Sequence, residues 1–158
     1  MSVQSAAARP ASTILLLRAG QSAIEVFMMV RHYQIEFASG ALVFPGGSVD
    51  PGDRDVVEDP ALCEVVADSD AAALQFRVAA IRETFEESGI LLARPRGSQD
   101  LIAAPRAAAI ADAHRVALCE GKTSFREILA TNELIPAVDR LAHYAHWITP
   151  EGQPKRFD

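Results

Sequence analysis

Apolar residues recur along this chain at two spacings. Between residues 70 and 88 the spacing is helical: Leu74, Val78, Ile81 and Phe85 fall on one stripe at three- and four-residue steps. Ser69 or Asp70 supplies an N-cap, and Gly89 stands where a helix closes in the left-handed conformation. The predicted helix runs to about Ser88. Upstream, the pattern is that of strands. Ser12–Leu17 and Ile24–Arg31 are rich in branched and bulky apolar residues and flank a turn at Gly20 and Gln21. They predict a hairpin whose loop exceeds two residues. Residues 32–40 read as loop. Ala41–Phe44 reads as a short strand broken by Pro45-Gly46-Gly47, where two glycines permit a sharp bend and close backbone approach.

The stretch 50–70 is acidic and reads as irregular, apart from a short helix capped by Asp59 with Pro60 in its first position. Beyond Gly89, Ile90–Ala93 reads as a strand. Residues 100–135 read as helical: 105–119 are Ala-rich, and Ser124 with Glu127 has the form of a capping box for a helix to about Ala130. His143–Thr149 reads as extended, with Trp147 in the core. Strand, glycine turn, helix and strand in this order predict a mixed α/β sandwich. The 158 residues fit one domain, residues 1–158, with a flexible N-terminus at 1–11.

Charge narrows the functions. Fifteen basic residues against 21 acidic give a net charge of −6, which argues against a general nucleic-acid surface. Small anionic substrates remain open, because a metal ion can supply local positive charge. No segment approaches the roughly 20 apolar residues of a membrane span, and residues 1–12 lack the apolar core of a signal peptide. Cys63 and Cys119 lie far apart and form no CxxC, so neither a disulfide framework nor a thiolate zinc site is expected. The expected location is cytoplasmic.

The chemistry concentrates at Arg82-Glu83-Thr84-Phe85-Glu86-Glu87-Ser88-Gly89-Ile90. On the predicted helix, Glu83, Glu86 and Glu87 fall within an arc of roughly 100°, opposite the apolar stripe. Like charges at this spacing cost roughly 0.2–0.5 kcal/mol per pair. Acids in the last turn oppose the macrodipole by about 0.3–1 kcal/mol each. A divalent cation would reverse both penalties; a solvated acidic face is the alternative. His143 and His146 invite a zinc reading, but on an extended strand they point to opposite faces and no third ligand is evident.

These residues resemble the Nudix box, Gly-x5-Glu-x7-Arg-Glu-U-x-Glu-Glu-x-Gly-U, where U is bulky and apolar. Arg82 to Ile90 fits with Thr84 in place of the first U, and Phe44-Pro45-Gly46-Gly47 fits the lead-in. Two departures stand out. Asp53 occupies the place of the first Glu, and residues 54–81 separate it from Arg82 where the family has seven. The sequence therefore reads as carrying an insertion within the box, at about residues 54–76, which loop entropy tolerates because its cost grows only logarithmically. A split box resembles the coenzyme A and acyl-coenzyme A diphosphatase branch. Its upstream signature, Arg-Ser-x3-Arg-x3-Gly-x3-Phe-Pro-Gly-Gly, is matched by Arg31, Gly40 and Phe44–Gly47, with His32 and Glu36 replacing the serine and second arginine.

The resemblance implies an α/β/α sandwich with a mixed sheet. It implies a hydrolase of diphosphate bonds, acting on a small nucleotide-diphosphate substrate with Mg2+ or Mn2+. It makes Glu83, Glu86 and Glu87, with a carbonyl of Gly46 or Gly47, the metal ligands. Glu86 is a ligand or polarises the water, Arg82 orients a carboxylate such as Glu83, and Arg31 with Gly46 and Gly47 contacts substrate. An ADP-sugar, dinucleotide or damaged-nucleotide pyrophosphatase, or a silent Nudix-like binding module, are the alternatives. Relatives continue beyond the segment at 154–158. The sheet is therefore expected to be incomplete at Asp158 or completed by a second chain, as in a homodimer, unless this is a compact domain ending in a tail.

Overall fold

The computed structural model describes residues 7–30, 40–64, 70–153 and 155–158. In chain order its elements are β1 (Ala11–Thr13), β2 (Leu17–Ala19), β3 (Ile24–Val26), β4 (Met29–Val30), β5 (Leu42–Val43), β6 (Gly46–Ser48), α1 (Pro51–Glu58), α2 (Ala71–Ser88), β7 (Ala93–Pro95), α3 (Ala104–Cys119), α4 (Phe125–Thr131) and β8 (Leu134–Pro136), followed by a 3-10 turn at Val138–Arg140. The fold is α/β, as expected. Its described strands pair two by two and antiparallel, β1 with β6, β2 with β3, β4 with β5 and β7 with β8. A parallel bridge joins Arg9 to Phe157.

Helix α2 organises the rest. The Asp70 side chain accepts from the Ala73 N–H at 2.7 Å, and Gly89 closes the other end at φ 78°, its N–H donating to the Phe85 carbonyl at 2.9 Å. The stripe Leu74, Val78, Ile81 and Phe85 is buried, as its spacing predicts. It packs with Val56 of α1, Phe125, Ile128 and Leu129 of α4, and Leu134 of β8. Each such side chain contributes about 1.5–3 kcal/mol on burial. The rings of Phe85 and Phe125 lie 6.2 Å apart and tilted by 41°, so one turn of α2 is tied directly to α4. Ser124 and Glu127 form the capping box foreseen for α4.

Several expectations are corrected. The strand expected over Ser12–Leu17 changes partner midway: Thr13 pairs with Gly46 in one ladder and Leu17 with Val26 in another. The hairpin is β2–β3, with four residues between its strands. The strand expected over Ile24–Arg31 is split into β3 and β4, and Arg31 lies outside the described residues. Gly46 and Gly47 do not merely break a strand; they form β6, because β1 offers a ladder at Ala11–Thr13. The stretch expected to be irregular holds α1, and Asp59 ends a helix rather than starting one. The strand expected at Ile90–Ala93 begins only at Ala93.

His143–Thr149 forms no ladder, and Trp147 is 84% exposed rather than core. The chain there is held by the tail: Thr149 N–H donates to the Phe157 carbonyl and Arg156 Nε to the Thr149 carbonyl. The same tail bonds Arg9 and Ala11, at the end of the stretch expected to be a flexible N-terminus. Of the stretch 54–76, residues 54–58 and 71–76 are helical. Among the described residues, no helix is long and apolar enough to cross a membrane.

Candidate metal and phosphate site

The site is built where α1, α2 and β6 meet. Asp50 caps α1, its Oδ1 accepting from the Gly52 N–H at 2.8 Å, and Pro51 follows at the first helical position. The third position, Asp53, reaches back to accept from the Asp50 N–H at 2.7 Å. This reciprocal box fixes the Asp53 carboxylate toward α2. Asp53 is fully buried.

Arg82 meets it from α2. Its Nε donates to Asp53 Oδ1 at 2.7 Å and its Nη2 to Asp53 Oδ2 at 3.0 Å, the forked geometry suited to guanidinium and carboxylate. Nη2 also donates to the Ser48 carbonyl at 2.8 Å, which ties α2 to the end of β6. Nη1 donates to both Glu83 Oε1 and Glu86 Oε1 at 3.0 Å. Burial alone would lower the Arg82 pKa; its hydrogen bonds to Asp53 and Glu86 and the charges of Asp53 and Glu83 outweigh that, and hold it above its ordinary value. Both Asp53 oxygens are thus spent on Arg82 and the α1 cap. The residue in the family's first Glu position acts as a buried counter-ion.

The carboxylates emerge on the side of β6. Glu83 and Glu86 are half-buried and Glu87 exposed. The Gly46 N–H donates to Glu87 Oε2 at 2.9 Å. The Glu83 carboxylate lies so close to Gly47 that a Cβ there would stand 2.4–2.5 Å from its carbon and oxygens. Only glycine leaves that space. Burial pushes the Glu83 carboxyl above its ordinary pKa, against the opposing pull of Arg82. Thr84, in a position where the motif expects an apolar residue, is buried with its hydroxyl donating to the Ala80 carbonyl at 2.7 Å, so its polar atom is satisfied.

The structure therefore brings Arg82, Glu83, Glu86, Glu87, Gly46 and Gly47 together, while Arg31 lies outside the described residues. The glutamates do not close on one point: Glu83 and Glu86 share an Arg82 nitrogen and Glu87 turns to the Gly46 amide. Among the described residues, no three His, Cys, Asp or Glu side chains are gathered as ligands. The donor set still suits a hard divalent cation, which takes oxygen ligands. Asp53, Glu83 and Glu86 bond one guanidinium, that of Arg82, and Glu87 stands beside them on the Gly46 amide, so carboxylates outnumber that cation four to one.

One contributor escaped the sequence reading. Arg115, on α3, donates from Nε to the Glu86 carbonyl and from Nη2 to the Glu87 carbonyl, each at 2.7 Å. Its partners are backbone oxygens, which carry no side-chain signature. The legible signal was only a cation on a neighbouring helix.

The NUDT19 Nudix domain family matches residues 58–158, from the end of α1 onward. The chain is 28% identical over 149 residues to the Caenorhabditis elegans protein named "Putative nudix hydrolase 7", covering 94% of this chain and 41% of that protein. It thus spans about two fifths of that relative's length. The crystal structure of a NUDIX hydrolase from Alicyclobacillus acidocaldarius superposes with a TM-score of 0.70 at 29% identity, over 96% of this chain and 67% of the other.

Proposed function

This chain belongs to the NUDT19 Nudix domain family, and on that premise we propose that it hydrolyses a diphosphate linkage in a nucleoside diphosphate derivative, with coenzyme A or an acyl-coenzyme A as the substrate. The observation that carries the reading is the junction of α2 with β6: Glu83 against Gly47 and Glu87 on the Gly46 amide, braced by the Arg82–Asp53 fork.

Glu83, Glu86 and Glu87, with the Gly47 carbonyl, would hold Mg2+ or Mn2+. The cation would offset the diphosphate charge and lower the pKa of a bound water. The chain's own part is positional. Arg82 is anchored to Asp53 and the Ser48 carbonyl, so the nitrogen it offers to Glu83 and Glu86 is fixed from behind. Rigid placement of charged groups around a diphosphate is a main source of rate in phosphoryl chemistry. Glycine at 46 and 47 lets the β6 backbone approach both the glutamates and a phosphate.

Coenzyme A is favoured as substrate by the upstream pattern Arg31, Gly40 and Phe44–Gly47. Exposed Leu17, Ile24 and Val26 on β2 and β3 support a homodimer. The two free cysteines suit the reducing cytoplasm.

The test is incubation with Mg2+ and a panel of coenzyme A, acetyl-coenzyme A, ADP-ribose and a dinucleoside diphosphate, with chromatography of products. The reading expects 3′,5′-ADP and phosphopantetheine from coenzyme A above all other turnover. Preference for ADP-ribose would overturn the substrate, and no turnover of any diphosphate would overturn the reaction.

A further inference from the structure

The C-terminal end of α2 carries an arrangement that neither the helix nor the carboxylate cluster requires. A helix leaves its last four carbonyls without intrahelical partners. Here Phe85 O accepts from the Gly89 N–H. The next two, Glu86 O and Glu87 O, both accept from one side chain of another helix, through Arg115 Nε and Nη2 at 2.7 Å each, with the Cys119 thiol also donating to Glu86 O at 3.7 Å. The residues whose carbonyls are held carry two of the site's carboxylates: Glu86, bonded to Arg82, and Glu87, bonded to the Gly46 amide of β6. Gly89 is called for by its φ of 78° rather than by space: a Cβ there would lie 3.7 Å from Ala111 Cβ and 3.8 Å from Arg115 Cδ, ordinary contact with α3.

We infer that Arg115 is a positioning residue of the carboxylate site, fixing the last turn of α2 from which the Glu86 side chain meets Arg82 and the Glu87 side chain meets the Gly46 amide. The inference rests on the metal-site reading above. The physical argument has two parts. A planar guanidinium that grips two successive carbonyls restrains both peptide planes at once, which an ammonium with one contact does not. A cation at the helix C-terminus also opposes the penalty of placing acids there. Arg82 holds Glu86 from the side-chain end and Arg115 from the backbone end, so Glu86 is restrained at both.

Arg106 provides an internal control. It lies on the same helix and its Nη2 donates to the Asn132 carbonyl at 2.7 Å, at the end of α4. Arg106→Ala removes a comparable carbonyl cap away from the carboxylates.

The experiment compares Arg115→Ala, Arg115→Lys and Arg106→Ala with the parent protein. Mn2+ affinity is read by electron paramagnetic resonance of the free ion, stability by urea unfolding, and the Glu86 and Glu87 carboxyl 13C resonances by NMR without metal. Arg115→Ala is expected to weaken Mn2+ binding about 10-fold, the scale on which groups orienting a ligand act. Arg115→Lys should fall between it and the parent, and Arg106→Ala should keep the parent affinity. The Glu86 and Glu87 resonances should move only in the Arg115 variants. Equal Mn2+ affinity in Arg115→Ala and Arg106→Ala would overturn the inference. If the parent itself takes up no Mn2+, the metal reading fails separately. The carboxyl resonances then decide the positioning role, and unchanged signals in Arg115→Ala overturn it.

Discussion

Arg82 and Asp53 meet edge to edge, Nε to Oδ1 at 2.7 Å and Nη2 to Oδ2 at 3.0 Å, with the aspartate wholly buried. The pair joins the first turn of α1 to the carboxylate-bearing end of α2. Removing the Asp53 charge leaves Arg82 with Glu83 and Glu86 as counter-charges but breaks two buried charged hydrogen bonds. Asp53→Asn is therefore expected to lower stability by about 1–3 kcal/mol, measured as a fall in the urea midpoint at constant slope. A loss within the scatter of ordinary surface substitutions would show that the pair is not structural.

The adjacent glycines should respond differently to the same change. A Cβ at Gly46 would meet backbone, Ser12 O at 2.4 Å and Thr13 Cα at 2.7 Å. Gly46→Ala must move β1, and an overpacking cost of about 1–3 kcal/mol is expected. The nearest atoms to a Cβ at Gly47 would be the tip of Glu83, at 2.4–2.5 Å. That tip can swing away, so Gly47→Ala should leave the unfolding midpoint within about 0.5 kcal/mol of the parent and weaken Mn2+ binding instead. Matched thermal and metal titrations of the two variants separate these outcomes.

Acid sensitivity should appear at α4. Glu127 accepts from the Ser124 N–H at 2.9 Å and from Thr123 Oγ1 at 3.0 Å. The Ser124 amide first, then the Thr123 and Ser124 hydroxyls, hold its carboxyl below the ordinary value of 4.5. The unfolded chain thus binds the proton at higher pH than the folded protein, so stability rises with pH across that window. Glu127→Gln is expected to be less stable than the parent at neutral pH. The difference should shrink as pH falls below 4.5, as followed by urea unfolding at stepped pH. A constant difference down through that range would contradict the assignment.

Particular residues explain what was legible in the sequence. Helix α2 was, because Asp70, the stripe from Leu74 to Phe85 and Gly89 are local signals that agree with one another. So was α4, through Ser124 and Glu127. Helix α1 was hidden because its box pairs Asp50 with Asp53 rather than with Glu or Gln, and places Gly52 inside the first turn. Strand β6 was hidden because two glycines after a proline have turn propensity, and only the ladder with β1 makes them extended. The exposure of Trp147 is a tertiary outcome that residue type does not decide. At the site, the glutamates were legible from their spacing and Arg82 from the resemblance of its motif, whereas the partnership of Arg82 with Asp53 spans 29 positions and Arg115 bonds only carbonyls.

The most direct test of the central claim is a calorimetric titration of the parent protein and Glu87→Gln with Mn2+, with and without a non-hydrolysable diphosphate nucleotide. The account predicts saturable binding by the parent, strengthened by the nucleotide, and weakened about 10-fold or more in Glu87→Gln. No uptake of Mn2+ by the parent even with the nucleotide present, or equal uptake by both proteins, would contradict it.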